Sequence, residues 1–150
     1  MALRNIIQLG DPTLRKRSFE VTDFGEKTHQ LLNDMKETLI KADGVGLAAP
    51  QVGVLRRVFI IKIEDLYYEC INPVIVKQSG KQTGTEGCLS VKGKWGEVTR
   101  PNKVTLKALD RNGKPYTIDA EGFLARAICH EYDHLDGIVY VDKATKVEED

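Results

Sequence analysis

The sequence has no surplus of either charge, since 22 Lys+Arg stand against 22 Asp+Glu in 150 residues. Tight binders of nucleic acid or anionic membrane draw their affinity from a basic excess, so direct DNA binding is not expected. No apolar run approaches the roughly 18 residues that a membrane span needs. The opening Met1-Ala2-Leu3-Arg4-Asn5-Ile6-Ile7 lacks the charged-then-apolar pattern of a signal segment. Three cysteines, Cys70, Cys88 and Cys129, are too few for a disulfide scaffold, and the odd count suits a reducing, cytoplasmic compartment. There is no internal repeat, no low-complexity stretch and no Gly/Ser/Pro-rich linker, so residues 1–150 are read as one domain.

What is present reads as α+β, with mixed or antiparallel sheets packed around a C-terminal helix. Asp11-Pro12 caps a short helical turn. From Glu26 to about Ala42, Leu31, Leu32, Met35, Leu39 and Ile40 follow a 3.6-residue period, and Asp43-Gly44-Val45-Gly46 stops that helix. Strands are predicted at Val58–Ile63, Cys70–Val76, Val104–Asp110 and Tyr116–Ala120, the last two joined through the turn pair Asn112-Gly113. A final helix runs from about Gly122 to Leu135 and closes at Asp136-Gly137.

That last helix carries His130-Glu131-Tyr132-Asp133-His134, a match to HExxH. Histidines four residues apart lie one above the other on a helix, so both imidazoles can reach one metal ion. Glu131 is rotated by about 100° from His130 and can stand beside the metal as a base. Phe123 and Ala127 lead into the two histidines along one stripe, so the histidines are expected to face inward. A buried imidazole needs a partner, and a metal supplies one.

A third ligand is expected from upstream. Glu148 and Glu149 read as a solvated acidic tail, and no histidine follows His134. The upstream candidates are His29, Cys70, Cys88, Cys129 and carboxylates. Cys129 points away from its neighbour His130, Cys70 sits in an apolar strand run, and His29 lies on the outer face of its helix. The spacing favours Cys88, which stands in the glycine-flanked Thr83–Ser90 loop where backbone can approach a site closely. Three protein ligands and an open fourth position would mark a catalytic metal. Gly44–Gln51 reads as a tight turn that could lay backbone beside a substrate, with the Gln51 amide as a donor.

Together, Gly44-Val45-Gly46-Leu47-Ala48-Ala49-Pro50-Gln51, Glu86-Gly87-Cys88-Leu89-Ser90 and His130-Glu131-Tyr132-Asp133-His134 resemble the three motifs of the peptide deformylases, in family order. The resemblance implies a hydrolase that removes the N-formyl group from the formylmethionine of newly made polypeptides and releases formate. It implies Cys88, His130 and His134 as ligands of one divalent metal ion, Fe(II) in the cell, with Zn, Ni or Co as surrogates. Glu131 would be the general base and then the acid, and Gln51 with the Leu89 backbone N–H would hold the oxyanion. Val45 and Gly46 would line the substrate groove, Phe123 and Ala127 the side-chain pocket, and Arg100 would lie near the substrate chain. N-formyl-methionyl nascent peptides are the implied partners, with transient ribosome association. Two departures stand out: Cys129 replaces a common Gln, and the long C-terminal helix of many bacterial members is not seen before Asp150.

Overall fold

The computed structural model describes residues 2–149. Two helices, α1 (Glu26–Ala42) and α2 (Phe123–Leu135), are set among eight strands. These are β1 (Gly46–Ala48), β2 (Val58–Ile63), β3 (Leu66–Ser79), β4 (Gln82–Cys88), β5 (Val91–Arg100), β6 (Lys103–Leu109), β7 (Pro115–Glu121) and β8 (Lys146–Glu149). A five-stranded sheet has the order β1-β2-β3-β6-β7 and a three-stranded sheet the order β4-β5-β8. Every pairing between these strands is antiparallel, so the mixed alternative reduces to one isolated parallel bridge between Phe19 and Arg56.

The larger sheet is covered on both faces, and β2 shows why its sequence is continuously apolar. Side chains alternate across a strand. Val58 and Ile60 pack with Leu31, Leu32, Met35 and Leu39 of α1. Phe59 and Ile61 pack with Ala125, Ile128 and Leu135 of α2 on the other side. Helix α1 needs only one apolar stripe and has it. Helix α2 is different: ten of its thirteen residues are buried, including both histidines and Glu131. It lies between the two sheets, with Arg126 reaching the Val98 carbonyl of β5. A helix enclosed this way cannot keep a polar outer face, so each of its polar groups must find a protein partner or a ligand.

Turn chemistry sets the connections. Asn72 adopts a left-handed φ of 49° beside Pro73, where the β3–β6 register slips, which is where a strand tolerates proline. The Asn72 side chain also bonds both backbone groups of Val21, tying the N-terminal segment to β3. The β6–β7 hairpin forms around Asn112-Gly113, with Asp110 accepting from the Asn112 and Lys114 N–H groups.

Three segments differ from the sequence expectation. Gly46–Ala48 is an edge strand rather than only a turn, and the Thr83–Ser90 loop is mostly strand β4. The acidic tail is β8, paired with β5 from Lys146 to Glu149, although its side chains are exposed as expected. Each is glycine-rich or charged and presents little apolar periodicity, so pairing with a neighbour decides it.

Gly137 ends α2 with a φ of +76°, and a Cβ there would stand 2.4 Å from the Arg15 carbonyl oxygen. Gly137→Ala is expected to destabilise the fold by about 2–4 kcal/mol, through left-handed strain and a backbone clash. Urea unfolding should show a lower midpoint at unchanged slope.

Candidate metal centre

Strand β4 delivers Cys88 and helix α2 delivers His130 and His134 to one point. One donor atom from each lies within 4.8 Å of the others. The Cys88 Sγ to His134 Nε2 distance is 3.4 Å. A tetrahedral ion bound at ordinary thiolate and imidazole lengths would separate those two atoms by roughly 3.5 Å, so the donor set fits a metal. One sulfur and two nitrogens suit zinc and its divalent iron, nickel and cobalt neighbours. Burial, then the neighbouring His130 and Arg100 charges, pulls His134 well below the usual histidine range, favouring the neutral imidazole that binds metal.

Behind the donors sits Glu86, two residues before Cys88. Its carboxylate takes Nδ1 of His130 at 2.8 Å, two nitrogens of Arg100 at 2.9 Å each and Nη1 of Arg126 at 2.6 Å. The bond to Nδ1 leaves Nε2 of His130 for the metal, the carboxylate–histidine–metal arrangement. Burial alone would raise Glu86, but bonds from Arg100 and His130 outweigh it and hold the carboxyl well below the usual range. Tyr140, itself buried, stacks on the His130 ring at 6.0 Å between centroids.

Glu131 lies on the open side of the donors, with Oε2 4.0 Å from His130 Nε2. Burial pushes its carboxyl up to about 7, and Oε1 is buried with no hydrogen-bond partner among the described residues. A carboxyl poised near neutrality with an unused oxygen is suited to accept and return a proton. Gly46 of β1 passes directly over it, and a Cβ at that position would stand 2.5 Å from Oε2. The glycine is what lets the edge strand come so near the base.

Gln51 is buried in the short 3-10 turn Ala49–Val52. Its Oε1 accepts from the Ala48 N–H at 2.9 Å, which turns Nε2 toward Ser90 Oγ at 3.0 Å and Cys88 Sγ at 3.5 Å. Leu89 follows Cys88 in the two-residue turn between β4 and β5. A groove of about 350 Å³ opens from the donors, with Gly44, Val45 and Gly46 on one wall, Thr85–Leu89 opposite, and Phe123, Arg126 and Ala127 along α2. Phe123 is 57% exposed at the groove mouth and lines it together with Ala127.

Arg100 is not in this groove. It is 3% exposed, paired with Glu86 and with Asp133 at 2.6 Å, and it faces a separate hollow behind α2 together with Cys129. Two buried carboxylates need its charge, so the expectation of a substrate contact is corrected. Cys70 and Cys129 are buried thiols pushed up to about 12 and about 11 by burial, and His29 bonds the Arg111 carbonyl. A larger hollow of about 750 Å³ lies between α1 and the β6–β7 turn, far from the donors, where Arg111 is already committed to Glu69.

Sequence reasoning gave Glu86 and Arg126 no role. With Thr83–Ser90 read as strand, the two-residue period would have placed Glu86 on the same side as Cys88. Glu86→Gln removes a buried charge from two guanidiniums and an imidazole, so a loss of about 3–5 kcal/mol is expected in urea unfolding. Metal affinity should fall roughly 10- to 100-fold in a chelator competition.

The comparisons agree with this geometry. The chain matches the family model described as Polypeptide deformylase over residues 3–150. It is 53% identical over 146 residues to the peptide deformylase of Caldicellulosiruptor bescii, covering 97% of this chain and 88% of that one. The Clostridium botulinum peptide deformylase is also 53% identical, over 97% and 99% of the two chains. Among solved structures, a peptide deformylase from Legionella pneumophila superposes with a TM-score of 0.93 at 45% identity, over 95% of this chain and 86% of that one. One from Synechococcus elongatus in complex with actinonin gives a TM-score of 0.93 at 38% identity, over 95% and 79%. With its three motifs gathered around one donor set, the chain belongs to the peptide deformylase family, metal-dependent hydrolases that remove the N-formyl group from newly made polypeptides.

Proposed function

We infer that Cys88, His130 and His134 hold one divalent metal ion, ferrous iron in the cell, beside which formyl-methionyl chains are hydrolysed to formate and a free N-terminus. The observation that carries this reading is Glu131, buried against the donors with one oxygen unpartnered. A bound cation would polarise the formyl carbonyl and lower the pKa of water next to it. Glu131 takes the proton as water adds to the carbonyl carbon, then returns it to the departing amine. The developing oxyanion accepts hydrogen bonds from Gln51 Nε2 and the Leu89 backbone N–H, each such donor being worth about 2.7–4 kcal/mol in comparable sites.

The substrate backbone runs along β1. That strand ends the sheet, so Gly46 can offer backbone groups to an extended peptide, which adds as a further strand alongside Val45. The first side chain enters between Ala127 and Phe123. On this reading the enzyme works in the cytoplasm and meets nascent chains transiently at the ribosome.

Under anaerobic conditions with ferrous iron, a formyl-Met-Ala-Ser peptide should yield one formate for each new amine. Cleavage of internal bonds without formate would overturn the reading. Glu131→Gln is expected to lower kcat by about 10²–10⁴-fold while metal content stays as in the parent. Cys88→Ala should lose the metal itself, read by elemental analysis of protein purified without oxygen.

A further inference from the structure

The groove read as taking the first side chain has a cationic residue, Arg126, in its wall. On α2, Phe123, Arg126, Ala127 and His130 share one face at the spacings that make helix neighbours, and all four line the groove. Arg126 is 5% exposed, yet its guanidinium is only partly engaged. Nη1 carries the strong contacts, 2.6 Å to Glu86 and 3.0 Å to the Val98 carbonyl. Nη2 makes one long contact, 3.4 Å to the Gln82 carbonyl, and Nε has no hydrogen-bond partner among the described residues. Gly84 of β4 lies beside these nitrogens, its carbonyl 3.5 Å from Nη1, and a Cβ there would stand 3.1 Å from Nη2 and 3.6 Å from Nε. Thr85 adds a hydroxyl to the same wall.

We propose that Arg126 is a specificity residue that makes this enzyme accept N-formyl peptides whose first side chain is unbranched and ends in a hydrogen-bond acceptor, above all methionine sulfoxide. The proposal rests on the reading of the groove as the deformylase site. Oxidation turns the thioether of methionine into a polar sulfoxide, and an apolar pocket leaves that oxygen stripped of water with no donor. Here the Arg126 guanidinium meets it with free N–H groups. Glu86 fixes Nη1, so the remaining donors are held in place before substrate arrives. The covalent step is unchanged: water adds across the formyl C–N bond, formate leaves with the water oxygen, the amine gains a proton, and the sulfoxide oxygen is untouched.

The test compares kcat/KM for formyl-Met-Ala-Ser, its methionine sulfoxide counterpart and the norleucine counterpart with the iron-loaded enzyme. The sulfoxide peptide should be turned over within about tenfold of the methionine peptide, whereas an apolar pocket would reject the added oxygen by about 100-fold. In Arg126→Met the sulfoxide-to-methionine ratio should fall about ten- to hundredfold, the factor carried by one hydrogen bond to a charged group. The ratio cancels any loss of folded enzyme. Arg126→Lys keeps a cation for Glu86 but lacks Nε, and it should lower the same ratio with milder effects on the fold. Rejection of the sulfoxide by about 100-fold in the parent, or an unchanged ratio in both variants, overturns the proposal. An enzyme inert toward formyl-Met-Ala-Ser itself would instead overturn the deformylase reading, and this inference with it.

Discussion

The buried carboxylate of Glu86 is the contact on which the rest of the site depends. It joins β4 to α2 through Arg126 and His130 and to the end of β5 through Arg100. An isolated carboxylate in that position would be costly, and so would either guanidinium. Together they satisfy one another, so α2 can lie between two sheets although it carries two histidines, two acids and an arginine. Remove the network and the helix would have to turn these groups to solvent, where the donors could not meet Cys88. The fold and the site are therefore held by the same atoms.

This arrangement explains the division between rigid and approachable parts. The histidines sit on a helix packed against β1 and β2, and Cys88 ends a strand whose hairpin continues directly into β5. Such elements hold side chains more closely than loops do. The substrate side is built from what is missing. Gly46 has no side chain to strike Glu131, and β1 has no strand beyond it in the sheet. An exposed strand edge invites pairing, and a site that reads extended peptides turns that liability to use.

Much of this was legible before the structure. Helix α1 appears at Glu26–Ala42 as its periodicity predicts, and the apolar run at Val58–Ile63 and the Asn112-Gly113 hairpin stand where the patterns place them. The HExxH spacing alone put both imidazoles on one face. The thiol needed an argument about glycine-flanked backbone, because nothing in a sequence fixes which distant segment meets a helix. Arg100, Glu86 and Arg126 show where such reading stops. Each is a charged residue whose burial depends on the other two, and no single-residue pattern reports that kind of mutual dependence. The same holds for β8, a short charged strand that exists only because β5 offers an edge.

Charge balance connects these observations to the chemistry. Among the buried groups around the site, Glu86 and Asp133 are matched by Arg100 and Arg126, with Lys143 reaching Asp133 from the surface. The four buried groups, Glu86, Asp133, Arg100 and Arg126, carry no net charge together. What faces the groove is the Cys88 sulfur and the buried carboxyl of Glu131. Burial, with the Glu86 charge adding to it, holds Glu131 up to about 7 against the pull of His130 and Arg100. A divalent cation held by Cys88, His130 and His134 would supply positive charge beside Glu131 and favour its carboxylate form. The carboxylate is the form that can take a proton from water. The zero net charge of the whole chain has a local counterpart here: a paired interior that would leave a bound cation's charge to be met by the Cys88 sulfur and Glu131.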